Sequence, residues 1–416
     1  MKDFNFQKHG DKLLFALALA VLAVLLVRSL GKVATQTAAV SIVFTQWWQD
    51  DLEKNTLQDL LKEFESLNPK IKAVLGERSY EDLGRELFNT EVKQGEAKSP
   101  LADVFALDPL WVPELLERGI IEKQQASFLS FINVFYYNIE ILKKAGFTRP
   151  PKNRSEFLAC ARALGPDNAV DNVHALTLGL NSSNGKASRG LYDDVYPWIW
   201  SAGAQLIKDG KPSVTSRPVI ESLAFLASLY SDGFIVPGAF SADNKKKLED
   251  FISGRAAFMI APARDIALIR KRMGDEAFGI TSVPTPDNYA GKPFFAAETW
   301  TIGIHSGSAH KEEARLFAAF LAGKASFLSD KAKAFPGTDV SLSGHSQMSG
   351  RGSPPDPFYS KVRDIAITGE IAQDFTGLPW VEMEEIFREE LSVLFEGKNS
   401  PAETARIIQE KWAHYF

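Results

Sequence analysis

Apolar residues recur at Leu57, Leu60, Leu61, Phe64 and Leu67, the i, i+3, i+4, i+7, i+10 spacing of one helix face. Asp50 and Asp51 can cap this helix, and Asn68-Pro69 stops it, because the residue before a proline is pushed out of helical backbone. Ahead of it, Ser41-Ile-Val-Phe-Thr-Gln-Trp-Trp48 reads as a strand ending in paired indoles. Ile71-Lys-Ala-Val-Leu75 reads as a second strand. A helix follows to about Val92, then a polar loop, then a third strand at Leu101-Ala-Asp-Val-Phe-Ala-Leu107, broken by Asp108-Pro109. This β-α-β-α-β rhythm predicts a parallel sheet with helical crossovers.

In open α/β sheets, ligands sit outside the carboxyl ends of the strands. Trp47 and Trp48 close the first strand and Asp108 closes the third, so all three are expected on one rim. Extended backbone sends neighbouring side chains to opposite sides, so at most one of the two indoles would meet a given cleft.

A second α/β region begins near Phe131-Ile-Asn-Val-Phe-Tyr-Tyr137. Helices are predicted over 154–164, 217–231 and much of 381–415. Gly254–Ile260, Phe278–Pro284 and Thr299–Ile304 are short buried-strand candidates, and the Gly-, Ser- and Pro-rich stretch 336–357 reads as a surface loop. No internal repeat is visible.

The 416 residues exceed one ordinary core and suffice for two domains. A hydrophobic content of 45% with 24% charged residues is that of a soluble globular chain. The net charge of −5, without a basic stripe, argues against nucleic acid as a partner. Residues 13–27 are unbroken apolar between Lys8, Lys12 and Arg28, Lys32. That run is short for a membrane span, which needs about 20 residues, and fits a signal-peptide core. Thr37, Ala38 and Ala39 offer a cleavage site, whereas the basic flank suits an uncleaved anchor. The single cysteine, Cys160, sits in a helical pattern and reads as a small buried core residue.

Catalytic constellations are missing from the pattern. The six His are scattered and none pairs with a carboxylate at helical spacing, so no metal site is expected. There is no phosphate loop, no nucleophile elbow and no dinucleotide fingerprint. An exported glycosidase would need two opposed carboxylates, and no pair stands out. Aromatic surfaces and planar polar side chains are present instead. Eight Trp are spread along the chain. Their flat faces can hold a pyranose ring, while Gln46, Asp108, Asp193, Arg264 and Glu298 can bridge vicinal hydroxyls. Trp111 and Trp412 read as packing residues.

These residues carry a family resemblance. Phe44-Thr-Gln-Trp-Trp48 with its helix and Asn68-Pro69, Ala102–Pro113, and Tyr136-Tyr-Asn138 followed by Lys144-Ala-Gly-Phe147 occur in order. Trp200-Ser-Ala-Gly203, Gly254–Met259 and Trp300–Ile304 complete the series. From about residue 41 to 416 the chain resembles the extracellular solute-binding proteins of bacterial ABC importers, family 1, the carbohydrate-uptake group. The resemblance implies an α/β, two-lobe periplasmic-binding-protein-like fold of type II, each lobe a sheet flanked by helices with a hinge between. It implies residues 40–125 plus 292–328 as the first lobe and 126–291 plus 329–416 as the second, behind a leader or anchor at 1–39. It implies a sugar or oligosaccharide ligand, hand-off to membrane permease subunits, a monomer with no cofactor and no catalysis, and a place in the periplasm or on the outer face of the cytoplasmic membrane. Cleft contacts would come from Gln46, Trp47, Trp48, Asp108, Asp193, Tyr196, Trp200, Arg264, Glu298, Trp300 and Trp380. The interval from Asp108 to Asn138 is shorter than in the family, so the first lobe is expected to be reduced. A degenerate, membrane-anchored binding or sensor protein is the alternative that this shortening motivates.

Overall fold

A computed structural model describes residues 39–48, 52, 55–90, 102–123, 126–165, 173–181, 189–332, 334–336 and 356–416. The apolar run at 13–27, the candidate caps Asp50 and Asp51, and the end of the second helix at Val92 lie outside these residues.

The first three strands are β1 (Val40–Gln46), β2 (Ile71–Glu77) and β3 (Val104–Leu107). They pair in parallel in the order β2-β1-β3, as the alternating pattern predicts. The crossover helices are Thr56–Leu67 and Tyr80–Phe88. The first begins after Asn55, whose left-handed backbone starts it without a side-chain cap. The second is capped by Ser79, whose hydroxyl accepts from the Asp82 amide at 3.0 Å.

The strand β4 (Ala126–Asn138) runs 13 residues without interruption. It serves two sheet regions in succession. Over its first half it pairs antiparallel with β11 (Ala297–Ile304) and with β12 (Phe335–Pro336). Over its second half it pairs antiparallel with β8 (Ala256–Pro262) and β9 (Phe278–Thr281). The short β5 (His174–Leu176) then adds to β8 in parallel. Two small ribbons complete the strands: β6 (Ile207–Lys208) with β7 (Lys211–Pro212), and β10 (Phe294–Phe295) with β13 (Glu370–Ile371).

The sequence of β4 explains how one strand holds both regions. Leu129, Phe131 and Phe135 point into the main core, while Ile132, Val134 and Tyr136 belong to a second cluster with Phe251, Met259 and Ile280. The alternation is the two-residue period of a strand buried on both faces. Asn133 interrupts the apolar series where the strand changes partners.

The C-terminal part is helical, as its pattern predicts, in two pieces: Trp380–Phe395 and Pro401–Trp412. The second closes over the first, and the Trp412 indole donates to the Met383 carbonyl at 3.0 Å. Cys160 is a buried free thiol on the helix Arg154–Leu164, and burial pushes it up to about 11.

The helix Trp380–Phe395 also buries a carboxyl group. Burial pushes Glu384 up to about 8, against the pull of Arg388 and a hydrogen bond from the Leu191 amide. Such a group holds its proton more tightly in the folded chain than in the unfolded one. Its contribution favours folding at low pH and is lost as pH rises from the ordinary carboxylate range through about 8. Glu384→Gln should therefore raise the melting temperature at pH 9 by roughly 2 °C or more while changing it little at pH 5. Thermal melts at both pH values check this, and an equal shift at both would contradict it.

Candidate functional site

Beyond the carboxyl end of β3 lies a cavity of about 610 Å³. Three parts of the chain line it: Asp108 to Leu116, the strand residues Ser127, Ala297, Thr299 and Thr301, and a group formed by Arg189, Tyr192 and Ile371 to Gly377. The strand residues come from β4 and β11, which pair through the hydroxyls of Ser127 and Thr301 at 2.7 Å and of Ser130 and Thr299 at 3.0 Å.

A buried charge cluster forms one corner. The Arg189 guanidinium donates to Asp108 at 2.6 Å, to Asp193 at 3.3 Å and to the Ala297 carbonyl at 2.9 Å. It also lies over the Tyr192 ring, 4.6 Å from the centroid. Asp108 accepts as well from the Tyr80 hydroxyl and the Leu110 amide, each at 2.9 Å. Asp193 accepts from the Asn133 side chain at 2.8 Å. One continuous path therefore runs from β3 through Asp108, Arg189 and Asp193 to Asn133 at the midpoint of β4. Burial works against charge on Arg189, but Asp108 and Asp193 outweigh it and hold the guanidinium well above its ordinary range. Burial and the neighbouring Asp108 push the Tyr80 hydroxyl up. Glu298, which accepts from Arg264 at 3.0 Å, is also pushed up by burial despite the pull of Arg264 and Arg189.

The local backbone makes this packing possible. Tyr192 and Asp193 lie on the short helix Gly190–Asp194. A Cβ at Gly190 would stand 2.4 Å from the Gly179 carbonyl oxygen and 3.0 Å from the Leu180 Cα, so only glycine lets the segments meet. Beside it, Asp194 accepts from Lys247 at 2.8 Å and from the Gly179 amide at 2.7 Å.

Of the eleven residues expected to contact a sugar, Asp108 lines this cavity. The aromatic members are core residues. The backbone leaves strand geometry at Trp47, so the two indoles do not alternate: they meet edge-on at 5.9 Å, and both are buried. Trp48 stacks on Trp300 at 4.6 Å and 9°. Trp47 packs against Tyr80 and Trp111. The Gln46 carboxamide oxygen accepts from the Trp48 amide at 2.5 Å, turning the chain at this point. Tyr196, Trp200 and Trp380 form a separate cluster with Phe375 and Tyr192, in which the Trp200 indole donates to Asp374. Asp193, Arg264 and Glu298 are held in ion pairs. Apolar packing claims the Trp faces here, and burial of a large ring outweighs leaving it on a rim.

Arg189, Tyr192, Thr299 and Gln373 were not among the expected contacts. Arg189 follows a Ser-, Asn- and Gly-rich stretch that reads as loop, and a lone arginine there carries no signal. The i, i+4 spacing of Arg189 and Asp193 was the available clue.

Residues 49–326 match the model of the bacterial extracellular solute-binding protein family, and the chain belongs to that family. A Brucella abortus protein named as a binding protein is 23% identical over 290 residues, covering 62% of this chain and 66% of that protein. The chain thus spans slightly under two thirds of that relative's length. The GacH receptor of Streptomyces glaucescens, solved unliganded and with acarbose, has a TM-score of 0.70 at 16% identity, covering 91% of this chain and 98% of that one. An ABC transporter solute-binding protein of Thermotoga lettingae bound with α-D-tagatose has a TM-score of 0.71 at 17% identity, covering 90% and 99%. These likenesses establish the type II periplasmic-binding-protein fold. Among the described residues, no helix is long and apolar enough to cross a membrane.

The charge cluster generates a stability test. Removing one partner from a buried ion pair leaves the other without compensation, at a cost of about 3–5 kcal/mol. Arg189→Met and Asp108→Asn should each destabilise the chain on that order. The double variant should lose less than the sum of the two. Urea unfolding followed by circular dichroism measures all four corners of the cycle, and strictly additive losses would refute the coupling.

Proposed function

We propose that this chain is the extracytoplasmic solute-binding component of an ABC importer, that it binds a sugar or oligosaccharide in the cavity beyond β3, and that it delivers the ligand to a membrane permease. The observation carrying this reading is the cavity itself. Its volume of about 610 Å³ falls within the usual range for small-molecule sites, and it lies beyond a sheet's carboxyl edge, where α/β folds place ligands. The lobe division proposed is 40–125 plus 292–328 and 126–291 plus 329–416, which places β4 at the start of the second lobe, paired over its first half with β11 of the first. Membership of a binding-protein family supports a role without catalysis. The solved neighbours with acarbose and tagatose support a carbohydrate class of ligand.

The polar contacts proposed are Thr299, Thr301, Ser127 and Gln373, with Asp108 and Arg189 as the charged corner. Asp108 keeps acceptor capacity on Oδ1, which takes one bond from the Leu110 amide. Arg189 across Asp108 favours a second reading, a binding or sensor protein whose site is filled by its own side chain. A ligand screen separates the two.

Titration of intrinsic fluorescence across a panel of mono- and oligosaccharides should give saturable binding for at least one. Thr299→Val and Gln373→Ala should each weaken that binding on the order of tenfold, the effect of one lost hydrogen bond of about 1.4 kcal/mol. Trp48→Leu should lower the melting temperature and leave the affinity within about twofold, since its ring stacks inside the core. An affinity loss at Trp48 larger than those at Thr299 and Gln373 would return the site to the indoles.

A further inference from the structure

The lining of the cavity divides by polarity. On one side lie the short helix Val112–Glu117 and the residues leading into it, whose apolar side chains divide between core and cavity. Trp111 and Leu115 are fully buried in the core, while Leu110, Val112, Pro113 and Leu116 are half-buried and line the cavity. A helix at a cavity that takes only polyhydroxylated ligands would gain by carrying polar residues on that second face. Thr299, Thr301 and Gln373 line the same space with hydroxyl and amide groups.

The charged groups available to a highly polar solute are already engaged. Asp108 accepts from Tyr80, Leu110 and Arg189, and the Arg189 guanidinium is shared among Asp108, Asp193 and the Ala297 carbonyl. The indoles, whose faces suit sugar rings, pack on one another. A ligand in this space meets uncharged hydroxyl and amide groups on one side, aliphatic surface from Leu110, Val112, Pro113 and Leu116 on another, and the rings of Tyr192 and Phe375.

Resting on the solute-binding reading, we propose that the ligand is a glycoside with an apolar aglycone. Its sugar hydroxyls pair with Thr299, Thr301 and Gln373, and its aglycone lies against Leu110, Val112 and Leu116. The aliphatic wall then sets specificity. Burial of each methylene is worth about a fourfold gain in affinity, so a four-carbon chain is ample to separate a glycoside from its free sugar.

The test uses the full chain and calorimetric titration of matched sets: each common hexose as the free sugar, the methyl glycoside, the n-butyl glycoside and the phenyl glycoside, with n-butanol as the apolar control. The expected result is that butyl or phenyl forms of at least one sugar bind tenfold or more tightly than the free and methyl forms. Val112→Thr, nearly isosteric, and Leu116→Asn should abolish most of that gain, with melting curves confirming that each variant is folded. Equal affinity for free and butyl forms, or tighter binding of unsubstituted oligosaccharides, would overturn the inference and leave the solute-binding reading standing. Butanol binding as well as butyl glycosides would overturn the sugar half. No binding by any member would overturn both.

Discussion

The buried guanidinium of Arg189 is the constraint on which the rest of the site depends. It draws Asp108 from the end of β3, Asp193 from the helix Gly190–Asp194 and the Ala297 carbonyl from β11 onto one planar group. Asn133 extends the same path to β4. Such a cluster is costly to desolvate, and it survives because nearly every polar atom in it has a partner of opposite character. Its effect is geometric. Segments distant in sequence are fixed to one another at the place where β4 passes from one set of partners to the next, and the cavity opens beside that fixed point.

Apolar packing determines what remains available for a ligand. Trp48 on Trp300, Trp47 against Tyr80 and Trp111, and Trp200 with Tyr196 keep these indole faces out of the lining of the cavity beyond β3. Burying an indole gains more from excluding water than a rim position would return through occasional ligand contact. The lining of the cavity beyond β3 therefore holds no indole: it carries threonine hydroxyls on a strand, an amide, aliphatic side chains beside one short helix, and the smaller rings of Tyr192 and Phe375.

The strands and helices were legible because their periodicities are strong. The parallel pairing of β1, β2 and β3 follows from alternating elements, and the helix Thr56–Leu67 from its one apolar face. Asp108 was legible as a position at the end of β3. Side-chain direction was not legible, since it turns on where backbone leaves the strand: the bend at Trp47 puts both indoles into the core instead of splitting them across the sheet. Arg189 was hidden for another reason. Its partners Asp108 and Ala297 are 81 and 108 positions away, and no local pattern encodes contacts at that range.

The segment Asp108–Leu116 serves both the core and the cavity. In sequence it looks like a strand-ending turn followed by a short apolar helix, and Trp111 and Leu115 account for the half that supports the core. The second apolar face packs in part against the core, and Leu110, Val112 and Leu116 keep the rest of their surface toward the cavity. Exposed aliphatic surface costs solubility and gains nothing unless something covers it. A cavity bounded by that face, with hydroxyls and an amide also in its lining, offers such cover to a bound molecule. On the proposed glycoside reading, Leu110, Val112 and Leu116 are the residues that separate this site from one made for sugar hydroxyls alone.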